Sequence, residues 1–147
     1  MNDDKSANTN YELKPVISVD DDSITLDIIE RYYKKSNMNN PFLKFQTGDE
    51  FIEYLGSIET EEKPKPALVL LDINMPGLSG FDVLEHMRSK PIFKDVPVCS
   101  MLTSSTRQED KDTAKALGAD GFLVKPSRPR EYTRIFNEFL AGKLEWR

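Results

Sequence analysis

The sequence predicts an α/β protein, a doubly wound parallel sheet built as (βα)5 with strand order 2-1-3-4-5. Three observations predict it. Short aliphatic runs alternate five times with stretches of helical period. Most of these runs are continuously apolar, as strands buried on both faces are. A repeated strand–helix order closes into a parallel sheet through right-handed crossovers, and the five-stranded order suits a chain of 147 residues.

The first strand is Pro15 to Val19, and the helix after it, Ser23 to Lys35, has an apolar stripe of Ile24, Ile28, Ile29, Tyr32 and Tyr33. Phe42 to Gln46 alternates and suits an edge strand. Asp49 to Ile58 is the second helix, with Phe51, Ile52, Leu55 and Ile58 on one face, and a charged link from Glu59 to Pro66 follows. Ala67 to Leu71 is the third strand, and Phe81, Leu84 and Met87 mark the third helix. Between them Met75 and Pro76 shape a loop, while Gly77 and Gly80 supply the freedom to turn into that helix. Val96 to Leu102 is the fourth strand. Arg107 to Leu117 is the helix poorest in apolar residues; Thr106 and Glu109 form a capping-box pattern at its start, and it is expected to pack weakly and shift easily. Gly121 to Val124 is the last strand, read as buried on both faces. Tyr132, Ile135, Phe136, Phe139 and Leu140 line the last helix, which Gly142 is placed to end.

Composition narrows the function. Lys and Arg number 20 against 25 for Asp and Glu, a net charge of −5, so no direct binding to nucleic acid is expected. No apolar run reaches the roughly 18 to 20 residues of a membrane span. The start, MNDDKSANTN, lacks the basic and then apolar pattern of a secretory signal. These features predict a cytoplasmic protein with no membrane partner. Cys99, the sole cysteine, has no partner for an internal disulfide and reads as a small buried strand residue.

The chemistry gathers at the carboxyl ends of the strands, where a sheet of this order binds its ligands. Asp20, Asp21 and Asp22 end strand 1, Asp72 ends strand 3, Thr103 ends strand 4, and Lys125 with Pro126 ends strand 5. Carboxylates brought together raise one another's pKa unless a cation neutralises them, and hard oxygen ligands suit Mg²⁺. A lysine and a hydroxyl facing that metal across one more carboxylate suit phosphoryl transfer. Metal and ammonium neutralise phosphoryl oxygens, the hydroxyl donates to one, and the carboxylate attacks phosphorus in line. Asp22 and Ser23 have a plainer reading as caps of the first helix.

The stretches VISVDDDS, LVLLDINMPGLSG, MLTSS and GADGFLVKP, in this order and spacing, resemble the receiver domains of two-component response regulators, the CheY-like family. The resemblance runs from about Leu13 to about Ala141. It implies a receiver domain over 13–141, between a flexible polar tail over 1–12 and a short tail over 142–147, with no output domain. It implies that Asp72 accepts the phosphoryl group. Asp20 and Asp21 would hold Mg²⁺ together with Asp72 and the backbone carbonyl of Asn74, Asp21 directly and Asp20 mainly through water, and Mn²⁺ could substitute. Thr103 takes the place of the switch hydroxyl, Phe122 that of the switch aromatic, and Lys125 that of the lysine that pairs with phosphoryl oxygens. A sensor histidine kinase or a histidine phosphotransfer protein would be the donor. An unidentified protein would read the altered surface of helix 4, strand 5 and helix 5. The short loop and the missing output domain are similar to the small single-domain regulators, including those that serve phytochrome-type kinases. Such a protein catalyses its own aspartyl phosphorylation and dephosphorylation, without turnover of an independent small molecule.

Two other classes compete. A phosphatase of the haloacid dehalogenase class also forms an aspartyl phosphate on a parallel sheet, and Asp20-x-Asp22-x-Ile24 approximates its opening motif. That class carries acidic residues after its lysine, where this chain has PSRPREY. A flavodoxin-like module would cradle a phosphate with hydroxyls and amides in the first loop, where three aspartates would repel it. His86, in LEHMRSK, is expected on an exposed helix face away from the site.

Overall fold

Residues 14–102 and 108–143 are described by the computed structural model. The strands are β1 (Val16–Val19), β2 (Phe42–Phe45), β3 (Leu68–Asp72), β4 (Val98–Leu102) and β5 (Gly121–Val124), all parallel, in the order β2-β1-β3-β4-β5. The helices are α1 (Ser23–Tyr33), α2 (Gly48–Glu61), α3 (Gly80–Arg88), α4 (Gln108–Ala116) and α5 (Glu131–Leu140). Val19 pairs with both Phe45 and Leu71, and Asp72 pairs with Met101, so the central strands end nearly level. No helix among the described residues is long and apolar enough to cross a membrane.

Strand alternation divides the core in two. On one side Val16, Leu68, Leu70, Cys99 and Met101 pack against Ile29 and Tyr33 of α1 and Tyr132 and Phe136 of α5. On the other, Ile17, Val19, Val69, Leu71 and Val98 pack against α2 through Phe51 and Leu55 and against α3 through Val83, Leu84 and Met87. Each such fully buried side chain contributes roughly 1.5–3 kcal/mol, so β1, β3 and β4 form the rigid platform for everything at their carboxyl ends.

Several expectations need correction. β5 lies at an edge and is not buried on both faces: Val124 is 38% exposed, and Phe122 and Leu123 are half-buried. At the end of the strand order it is flanked by β4 alone, and the helix over it, α4, buries only Ala114 among the described residues. In α1 the core-facing set is Leu26, Ile29 and Tyr33, while Ile24 is 68% exposed because it lies about half a turn around the helix from Leu26 and Tyr33. Likewise Phe81 is only half-buried and Leu140 is exposed at the end of α5. α2 continues through Glu59 to Glu61, since no breaker precedes Pro64, and ends on Glu62 with φ of 54°. A 3-10 turn, Pro91–Phe93, precedes β4 and buries Phe93 completely.

One feature of the α3–β4–β5 side was not visible in the sequence. Arg88, at the end of α3, donates through Nε to the Gly118 carbonyl at 2.9 Å and through its terminal nitrogens to the carbonyls of Phe93 (2.7 Å) and Val96 (2.9 Å) and to Asp120 Oδ2 (3.1 Å). Asp120 Oδ2 also accepts from the Val98 amide at 2.8 Å. This clasp joins α3, the 3-10 turn, the start of β4 and the turn into β5. α4, by contrast, rests on the sheet through Ala114, its single buried residue among those described. That is the weak packing its composition predicted.

Candidate functional site

β1 and β3 deliver Asp20 and Asp72 to the same edge of the sheet, and both carboxylates are buried, at 3% and 1% exposure. Burying a carboxylate without partners is costly. Lys125, one residue past β5, supplies them: its ammonium lies 2.8 Å from Asp20 Oδ2 and 3.4 Å from Asp72 Oδ2. The Lys125 amide donates to the Leu102 carbonyl at 2.8 Å, which fixes the lysine to the end of β4. The Asp22 amide donates to Asp20 Oδ1 at 2.9 Å, and the Asn74 amide to Asp72 Oδ1 at 3.1 Å.

The backbone around Asp72 is equally constrained. The N-terminus of α3 is seated on it, with the Gly80 amide donating to the Ile73 carbonyl at 3.2 Å. A Cβ on Gly80 would lie 2.6 Å from Ile73 Cα and 2.9 Å from the Asp72 carbonyl carbon, so only glycine permits this approach. Gly77, with φ of +75°, makes the turn that brings α3 back. Ser79 and Asp82 complete a reciprocal capping box.

These contacts set the electrostatics. Burial, reinforced by the neighbouring Asp20 and only partly offset by Lys125, pushes Asp72 up to about 6. Burial works against the charge on Lys125, but its hydrogen bond to Asp20 and the charges of both aspartates prevail and hold its pKa above the ordinary lysine value. Carboxylate oxygens of Asp20, Asp21 and Asp72 all lie within 4.8 Å of one another, two buried and one exposed. Three hard oxygen donors, two buried and the third, Asp21, open to solvent, fit a divalent cation that keeps several waters, as Mg²⁺ does. Asp22 stands apart as the cap of α1, accepting from the Ile24 amide and the Thr25 hydroxyl, each at 3.0 Å.

The structure therefore brings Asp20, Asp21, Asp72, Asn74 and Lys125 together. Thr103 and the Thr106 end of the expected capping box lie outside the described residues. Phe122 lies on β5 beneath α4, half-buried, with the Lys111 ammonium 5.4 Å from its ring centroid. Ser100, its neighbour in register on β4, is fully buried, and its hydroxyl has no hydrogen-bond partner among the described residues. His86 is half-buried on α3 and takes no part in the carboxylate cluster. Sequence reasoning placed Tyr132 only in the core. Its phenol is pushed up to about 12 by burial and, to a lesser degree, by the charges of Asp20 and Asp72.

A five-stranded parallel sheet in this order, carrying buried aspartates paired to a lysine beside an acidic cluster, defines the class of receiver folds. The chain belongs to the response regulator receiver domain family, which it matches over residues 16–137. It is 33% identical over 116 residues to the regulatory protein VanR of Enterococcus faecium, covering 79% of this chain and 45% of VanR. It is 37% identical over 87 residues to the nitrate/nitrite response regulator protein NarL of Escherichia coli (strain K12), covering 59% of this chain and 39% of NarL. The chain thus spans less than half the length of these relatives. Its fold is similar to that of the phosphorylated cyanobacterial phytochrome response regulator RcpA, with a TM-score of 0.76, 24% identity and coverage of 91% and 98% of the two chains. The Mn²⁺-bound form of response regulator Rcp1 gives a TM-score of 0.74 at 22% identity, covering 91% and 99%.

Proposed function

We propose that this receiver domain is switched by phosphorylation of Asp72, and the observation that carries the reading is the burial of Asp72 against Lys125 beside two further aspartates. An Asp72 oxygen forms the new bond to phosphorus while the phosphorus–nitrogen bond of a donor phosphohistidine breaks, and the histidine nitrogen takes a proton. Lys125 already touches both buried carboxylates, so its ammonium can turn from Asp72 to a phosphoryl oxygen without leaving Asp20. Asp21, Asp72 and the Asn74 carbonyl would hold Mg²⁺ directly. Both Asp20 oxygens are already engaged, by Lys125 and by the Asp22 amide, which favours its acting through water. The bound ion would withdraw negative charge from the phosphoryl oxygens, and Mn²⁺ would serve in its place.

The donor is a sensor histidine kinase or a histidine phosphotransfer protein. Thr103 supplies the hydroxyl that follows the phosphoryl group, and Phe122 moves inward into the space it leaves, altering the α4–β5–α5 surface. The signal passes through protein contacts in the cytoplasm, without nucleic acid or membrane. The only chemistry is formation and hydrolysis of the protein's own acyl phosphate.

The test is incubation with Mg²⁺ and acetyl phosphate, followed by intact mass. The parent should gain one phosphoryl mass, and Asp72→Asn or excess chelator should abolish the gain. Labelling of Asp72→Asn at the parent's rate would refute the assignment.

A further inference from the structure

The two ends of α4 are held very differently. At its carboxyl end the helix closes in a Schellman turn, with the Gly118 amide donating to the Lys115 carbonyl at 3.1 Å and the Ala119 amide to the Ala114 carbonyl at 2.9 Å. Gly118 has φ of +101°, and a Cβ there would lie 2.9 Å from Cγ of Arg88, so the arginine stem occupies the room that any side chain would need. Leu117 and Ala119, on either side of it, pack against the core. Arg88 Nε holds the Gly118 carbonyl at 2.9 Å, while the rest of that guanidinium is fixed to the carbonyls of Phe93 and Val96 and to Asp120. The amino end of the helix has less to hold it. Among the described residues none of α4 before Ala114 is buried; Gln108 donates within the helix, to Asp112, and Lys111 meets β5 only through the face of the Phe122 ring.

We propose that α4 moves as a lever whose fulcrum is Gly118, and that Arg88 is the positioning residue that pins this fulcrum to α3. A glycine just past a helix end can absorb the change in backbone angles that a swing requires. α3 starts on the backbone beside Asp72, where the Gly80 amide meets the Ile73 carbonyl, and it ends at Arg88, so Asp72 and the fulcrum are tied to one helix. Motion of α4 is then rotation, not sliding. Gln108 stands ten residues from Gly118 and Ala116 two, which is about 15 Å and about 3 Å at the rise of a helix. A swing of about 10° would carry the first by about 2.6 Å and the second by about 0.5 Å. The fulcrum belongs to the unmodified chain; that phosphorylation drives the swing rests on the reading of Asp72 as acceptor.

The experiment uses the full chain carrying a pair of nitroxide labels and reads the distance between them by pulsed electron spin resonance. One label sits at Gln108→Cys or at Ala116→Cys, both exposed, and the other at Glu53→Cys on α2 or at Arg31→Cys on α1. Cys99 is fully buried and out of a label's reach. In unmodified protein the distances to Gln108 should be spread more widely than those to Ala116. After Mg²⁺ and acetyl phosphate, with intact mass as the check on phosphorylation, the mean distance should move about five times as far at Gln108 as at Ala116. Arg88→Met should release the fulcrum, so that Ala116 spreads and moves as Gln108 does, whereas Asp120→Asn, which keeps the bond from Arg88 to Gly118, should leave Ala116 still. Should Arg88→Met not fold, Arg88→Lys, which lacks the Nε donor, takes its place with the same expectation. Equal movement at the two ends, or none at either in phosphorylated protein, overturns the lever. Ala116 staying still in the Arg88 variant, or freed equally by Asp120→Asn, overturns the pin. If the parent gains no phosphoryl mass, the functional reading falls, while the spreads in unmodified protein still decide the fulcrum, and equal spreads overturn it.

Discussion

Asp72 is stored in its least comfortable state. Its folded pKa of about 6 stands above the 3.8 of an unperturbed aspartate. Because the value is raised, the carboxyl's contribution to stability is complete below pH 3.8 and is lost as pH rises through 6. Two pKa units correspond to about 3 kcal/mol. In chelator, Asp72→Asn should therefore gain stability over the parent as pH rises from about 4 through 6, levelling off above that at up to about 3 kcal/mol in urea unfolding. A difference that is flat across that range would mean the carboxylate is not strained. The carboxylates and Lys125 were legible in the sequence because a charge at the end of an apolar strand has few alternatives to a site. Arg88 and Lys111 were not legible. Their partners, Asp120 and Phe122, lie far along the chain or on another element, and a lone basic residue on a helix carries no mark of what it will meet.

Among the elements, α3 is fastened at both ends, by Gly80 on the backbone of Asp72 and by Arg88 on the approaches to β4 and β5. Arg88→Met keeps much of the apolar stem but strips donors from the carbonyls of Phe93, Val96 and Gly118 and leaves Asp120 without its cation. A loss of about 2–4 kcal/mol is expected in denaturant unfolding. Asp120→Asn keeps an acceptor for the Val98 amide and should cost less; equal losses would show that the ion pair dominates the clasp. The strands and helices themselves were readable in order and in number, because period and length separate them. Edges were misread. Continuous apolar runs cannot tell β5 from a central strand, and Ile24, apolar but about half a turn around α1 from Leu26 and Tyr33, faces away from the sheet it was expected to cover.

For the molecule as a whole, stability is unevenly distributed. β1, β3 and β4 are buried throughout, whereas α4 gives the core Ala114 and little else. Amide hydrogen exchange should report this directly: protons of Gln108 to Ala116 should exchange orders of magnitude faster than those of Leu68 to Leu71, through an opening that leaves the sheet intact. Protection of α4 equal to that of β3 would contradict it. A helix that the core barely holds is also one that the core barely constrains. Substitutions along its outer face cost the fold almost nothing, so the residues there are free to diverge under selection from whatever they meet outside the molecule, and one architecture can acquire new addressees without being rebuilt.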